Sequence, residues 1–352
     1  MIMLGSGRHP FLINSAPPAE GRTFACFLSR KWVELCRSVH FPESEILNSE
    51  QELLRLIRPW GDAAIGTSCR YRSYISADGF PAEFSLSWRA RVPEVRVLFE
   101  SLGSDLTPRG AQDAGRRLTR NLVGKEDVDI DRYLAIEDLF VTGDPTPGGP
   151  TIWHSMAQRA GEPLRYKVYL NPRAHGRDRV AEVVSEAFER IGMKRAWLPI
   201  VRLQAELAEQ GHEIEFFALD LDHPDVARVK VYFRHGPVTI DQLDKVASLA
   251  GHHDSARAAQ AYHAVYGHRR LISNEPMTCL AFHPGAEGPT HANIYLRLGT
   301  DPVETVLQTE CFGPTIGGLG RRELLSFRTV GANQPAEIGL YLRFPQYEEG
   351  VK

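Results

Sequence analysis

Apolar and polar positions alternate along this chain in short blocks. Arg228-Val229-Lys230-Val231-Tyr232-Phe233 puts Arg228, Lys230 and Tyr232 on one face of a strand and Val229, Val231 and Phe233 on the other. Arg165-Tyr166-Lys167-Val168-Tyr169-Leu170 repeats the row, and Asn293–Leu298, Gly339–Phe344 and Val95-Arg96-Val97 vary it. An exposed sheet face ordinarily mixes charges, because like charges on neighbouring strands repel. These rows are basic and tyrosine-rich, with almost no acidic partner in the pattern. Two readings stay open at this level: an ordinary exposed sheet, or rows that converge on an anion while their aliphatic backs lie under helices.

The remaining periodicity supplies those helices. Spacing of about 3.6 predicts helices over Ala25–Val39, Ser44–Leu56, Thr107–Asn121, Asp178–Ile191, Leu198–Gln210, Thr239–Ala250 and Asp254–Tyr266, with a further one from Pro302. Strands are expected at Phe84–Trp88, Val92–Phe99, Ile152–Arg159, Arg165–Leu170, Glu213–Asp220 and Ala227–Arg234. Four more follow at Met277–His283, Asn293–Leu298, Glu323–Thr329 and Glu337–Phe344, and Thr67–Ile75 reads as a strand or extended segment. Hairpins therefore alternate with helical pairs five times, at intervals of roughly 45 to 70 residues. That order argues for an α+β protein and against a doubly wound parallel sheet. Ten antiparallel strands with polar inner rows can close into a wide barrel wrapped by helices. Residues 1–24 read as a loose lead-in, and 25–352 as a single barrel domain.

A net charge of −3 over 352 residues leaves no global basic field to gather nucleic acid, so any anion must be held by a local cluster. No stretch approaches the roughly 20 apolar residues of a membrane span. The first 18 residues lack the pattern of a signal peptide. Cys26, Cys36, Cys69, Cys279 and Cys311 are scattered and never spaced C-x-x-C, which suits reduced thiols in a cytoplasm.

The motifs Pro81-Ala82-Glu83-Phe84-Ser85, Lys167-Val168-Tyr169, Arg228-Val229-Lys230-Val231-Tyr232 and the Tyr295 strand resemble the indole aromatic prenyltransferases of the dimethylallyltryptophan synthase type. The resemblance runs in order from about residue 25 to 345. It implies the αββα (ABBA) barrel and a metal-independent alkylation of an indole, foremost L-tryptophan, by dimethylallyl diphosphate, with no cofactor. An indole dipeptide, a tyrosine or a phenol are the rival acceptors. A barrel that binds an anionic metabolite without chemistry is the rival class.

The resemblance also implies roles. Arg96, Lys167, Arg228 and Lys230 would hold the diphosphate, arginine by bidentate contact and lysine as a point charge. Asn293 stands where many members carry a glutamine on the same group. Tyr169, Tyr232, Tyr295 and Tyr341 would ring the allylic cation and keep water from it. Glu83 would accept the indole N–H. His154 occupies the place where fungal tryptophan members carry a lysine taken to remove the arenium proton, and its imidazole suits that task.

Other motifs carry less. Asp220-Leu221-Asp222 reads as a turn, and no D-D-x-x-D accompanies it. Gly317-Gly318-Leu319-Gly320 and Gly124-Lys125 lack P-loop spacing. His252-His253-Asp254 lies at a helix start, where Asp254 or Ser255 can cap, with a metal as the weaker alternative.

Overall fold

The computed structural model describes residues 22–89, 91–145, 149–267, 269–298, 321–329 and 336–347. The lead-in up to residue 21, the helix expected from Pro302, Cys311 and Gly317–Gly320 lie outside them. Ten strands follow in chain order: β1 Ala82–Arg89, β2 Val92–Glu100, β3 Trp153–Arg159, β4 Arg165–Leu170, β5 His212–Asp220, β6 Val229–His235, β7 Met277–Phe282, β8 His291–Arg297, β9 Arg321–Arg328 and β10 Glu337–Arg343. Each pairs antiparallel with the next, and β1 pairs with β10, so the sheet closes into a barrel with no free edge.

The helices lie outside: α1 Phe24–Ser38, α2 Glu43–Gly61, α3 Pro108–Arg120, α4 Asp131–Leu134, α5 Val180–Arg190, α6 Lys194–Val201, α7 Gln204–Glu209, α8 Ile240–Ala247 and α9 Ser255–Tyr266. Their starts are set by local chemistry. The Thr23 hydroxyl accepts from the Cys26 amide to open α1, Thr239 and Gln242 form a capping box on α8, and Asp254 caps α9.

The aliphatic backs of the strands supply the core. Val229, Val231 and Phe233 of β6 are buried together with Phe217, Leu280 and Phe282 of β5 and β7. Helical side chains close over them; Phe188 of α5 stacks on Trp197 of α6 at 4.8 Å and meets Phe282 edge-on at 4.9 Å. Each such side chain contributes about 1.5–3 kcal/mol by leaving water, so the apolar layer between sheet and helices fixes which face of every strand looks inward.

Three expectations change. Thr67–Ile75 forms no strand; it is a looped segment tied down by the Tyr71 hydroxyl on Glu100 at 3.1 Å and the Tyr74 hydroxyl on Glu215 at 2.9 Å. The single helix expected over Leu198–Gln210 breaks between α6 and α7, each half anchored separately by Ile200 and Leu207. Strand β1 begins at Ala82, which places Glu83 inside the regular ladder opposite Leu98.

Candidate active site

Strand parity delivers the polar rows to the lumen. Across β2, β3 and β4 the register aligns Arg96 with Ala157 and Leu98 with Ser155, and Ser155 in turn with Lys167, so these positions share the inner face. Lys167 then stands opposite Asp220, and Lys230 stands between Ala218 and Ala281. One end of the lumen is a small chamber of about 80 Å³ walled by Arg96, Arg159, Lys167, Arg228, Lys230 and Asn293. The four cations expected to hold an anion, and the amide beside them, are thus brought together.

The expectation of almost no acidic partner is corrected. Asp220 is not a turn residue: it ends β5 with its carboxylate buried among the bases. Its oxygens lie 2.6 Å from Arg228 Nε, 3.3 Å from Lys230 Nζ and 3.7 Å from Lys167 Nζ. Glu94, two residues before Arg96 on the same face, pairs with Arg96 and accepts from Arg159 at 3.1 Å. Two carboxylates therefore hold five cations at a spacing their mutual repulsion would otherwise forbid. Burial pushes Asp220 up, but Arg228, Lys230 and Lys167 override it and keep the carboxyl well below its usual range. Burial and then Lys230 and Arg96 push Lys167 down, and burial with Arg228 pushes Lys230 down. The cluster carries an unneutralised surplus of positive charge, which an anion of about three charges would relieve.

Below this chamber the four tyrosines form a continuous arc. Ring centroids lie 5.8 Å apart for Tyr169–Tyr232, 5.9 Å for Tyr232–Tyr295 and 5.6 Å for Tyr295–Tyr341. Burial raises all four phenol pKa values, so each keeps its proton. Arg96 Nη1 reaches the Tyr341 hydroxyl at 3.5 Å, linking arc and cations. Tyr232 and Tyr295 wall both this end and the next.

The other end is a larger cavity of about 560 Å³. Its aromatic wall comprises Trp153, Phe216 and Tyr74, with Trp153 and Phe216 at 4.8 Å and Tyr74 stacked on Trp153 at 6.2 Å. Glu83 projects into this cavity and makes no hydrogen bond or ion pair among the described residues. Burial and the nearby Glu323, partly offset by Arg297 and Arg343, push its carboxyl up to about 8. The other carboxylates here are engaged: Glu215 with Arg173 and Arg234, Glu275 with Arg234, and Glu323 with Arg343 and Arg297.

His154 is the residue the structure does not bring in. Trp153, which opens β3, occupies the inner face, so His154 points outward with Met156 into the layer beneath the helices. Its Nε2 lies 2.8 Å from the Thr119 hydroxyl of α3, its ring stacks on Phe99 at 6.0 Å, and burial pushes its pKa down to about 3. Neighbouring Met156 was the available sign that this face is apolar. Parity likewise pointed to Glu94, whereas nothing local marks Trp153, Phe216 or Tyr74 as wall residues.

A closed ten-stranded αββα barrel whose lumen runs from packed cations through stacked phenols to an aromatic cavity defines an aromatic prenyltransferase of the ABBA type. The sequence model of the tryptophan dimethylallyltransferase family matches residues 56–267, and the chain belongs to that family. The 6-dimethylallyltryptophan synthase of Micromonospora olivasterospora, solved with DMASPP and Trp, superposes with a TM-score of 0.80 at 23% identity, covering 94% of this chain and 100% of that one. The 5-dimethylallyltryptophan synthase of Streptomyces coelicolor, also with DMASPP and Trp, gives 0.79 at 22% identity, covering 95% and 99%. AnaPT from Neosartorya fischeri gives 0.71 at 14% identity, covering 92% and 94%. At these identities the superpositions establish the shared fold.

Proposed function

We propose that the protein transfers the dimethylallyl group of dimethylallyl diphosphate to the indole ring of L-tryptophan. The observation that carries this is the stacking of three environments along one lumen: surplus positive charge, then neutral phenol faces, then an aromatic cavity holding a carboxylate with no ion pair among the described residues. Arg96, Lys167, Arg228, Lys230 and Asn293 take the diphosphate. As the C–O bond breaks, the leaving group keeps the electron pair, and preorganised cations stabilise it by about 2.7–4 kcal/mol for each well-placed donor. Tyr169, Tyr232, Tyr295 and Tyr341 present their ring faces to the allylic cation, worth about 0.5–2 kcal/mol apiece, and exclude water.

Glu83 accepts the indole N–H and so orients the ring toward the cation. We also assign it the proton released when the ring regains aromaticity, because it is the described carboxylate of the cavity without an ion pair. The cavity lining mixes Arg72, Arg234 and Arg297 with Glu215, Glu275 and Glu323, which suits the zwitterionic end of an amino acid. In this reading cations do the work of a metal, since the donor-end carboxylates are already bound to arginine and lysine. We read 25–352 as one catalytic domain. From the cysteine pattern we read the enzyme as cytoplasmic; no helix among the described residues is long and apolar enough to cross a membrane.

The test is incubation with dimethylallyl diphosphate and L-tryptophan in EDTA, beside indole dipeptides, tyrosine and phenols. A tryptophan carrying one dimethylallyl group is the expected product. Tight donor binding without product from any acceptor would favour a non-catalytic binder.

A further inference from the structure

We infer that His291 completes the donor end, its Nε2 taking a proton from solvent as a diphosphate enters and then donating a hydrogen bond to the distal phosphate. The inference rests on reading the basic chamber as the donor site. Along β8 the inward positions His291, Asn293 and Tyr295 step down the lumen, and His291 walls the chamber beside Arg228, Lys230 and Arg328. It stands opposite Ala281, which stands opposite Lys230 on the next strand, so imidazole and ammonium lie at one level of the barrel.

Hydrogen bonding selects the tautomer. The Thr290 hydroxyl donates to the Ala281 carbonyl at 3.1 Å and therefore accepts from the Nδ1–H of His291 at 3.1 Å and from that of His283. With Nδ1 carrying the proton, Nε2 of the neutral ring is a bare lone pair. The ring is packed against His252 at 4.9 Å and His283 at 5.4 Å.

Every element facing His291 bears on its charge: His283 and Thr290 from the β7–β8 connection, His252 from the approach to α9, and Arg328 of β9 paired to Glu337 of β10. Arg228 and Lys230 of β6 face it too, with Asp220 of β5 behind them. Burial, then Arg328, His283, His252 and Arg228, hold its pKa down to about 3, so the free protein keeps it neutral. An anion of about three charges reverses that balance at close range.

The experiment is calorimetric titration of the protein with dimethylallyl thiolodiphosphate at pH 7.5, in buffers of different ionisation enthalpy. Burial and neighbouring cations also push Lys167 and Lys230 down, so the readout is the difference between wild type and His291→Gln. Expected are about half to one fewer proton taken up per site and an affinity about tenfold weaker, the cost of one charge-assisted bond. His291→Asn is read in the same way should His291→Gln not fold. Unchanged proton uptake in a folded variant that still binds overturns the inference and leaves the donor site standing. No binding of the analogue by wild type overturns the donor site, and this inference with it.

Discussion

Replacing Glu83 by glutamine keeps the shape of the acceptor cavity and removes one ionisable group. In the free protein the carboxyl is pushed from 4.5 up to about 8 by burial and Glu323. With a pKa near 8, about one molecule in ten carries the ionised form at pH 7. If that form accepts the indole N–H and the departing proton, wild-type kcat/KM for tryptophan climbs about tenfold per pH unit from 6 and levels off near 8. Glu83→Gln loses about 10²- to 10⁴-fold at pH 9 and shows no such limb. Folding stability supplies an independent reading. The folded pKa exceeds the unfolded one, so the folded state binds the extra proton and wild-type stability falls as pH rises from about 4.5 to 8. The shift corresponds to about 5 kcal/mol as a ceiling, and water in the open cavity reduces it to about 1–2 kcal/mol. Glu83→Gln should therefore match wild type at pH 4 and melt higher at pH 9. The assays are steady-state kinetics with saturating donor and thermal melts from pH 4 to 9. A wild-type profile flat between pH 6 and 8, or a limb that survives in the variant, refutes the assignment.

Asp220→Asn removes the carboxylate among Arg228, Lys230 and Lys167; breaking a buried pair should cost about 3–5 kcal/mol. A saturating uncleavable donor should restore much of the melting temperature, and an unchanged apo melt would contradict the clustered geometry. His154→Gln should lower stability by about 1–2 kcal/mol through Thr119 while leaving kcat within about threefold; a loss of a hundredfold in kcat would return it to the chemistry. Tyr232→Ala opens the cation to water, so the ratio of dimethylallyl alcohol to prenylated acceptor, measured by chromatography, should rise several-fold; an unchanged ratio would remove it from the shield.

The repeated basic-x-Lys-x-Tyr rows, being strictly alternating, determined from the sequence alone which residues share a face. Together with the helical stretches between hairpins they allowed a barrel, and the resemblance to the prenyltransferases implied the convergence of Arg96, Lys167, Arg228, Lys230 and the four tyrosines. Alternation says which residues travel together but not whether their face looks in or out. At β3 that choice fell to Trp153 and Met156 against the helical layer, and it took His154 away from the cavity. Likewise, Asp220 and Glu94 became counter-charges only when the register of β4, β5 and β6 set Asp220 beside Lys167 and Lys230, and that of β2 and β3 set Glu94 beside Arg159. The pattern of side chains along a strand is a local property, so the sequence determined it. Inward direction, cross-strand neighbours and the pKa values they impose arise from packing between distant segments, and only the closed barrel decided them.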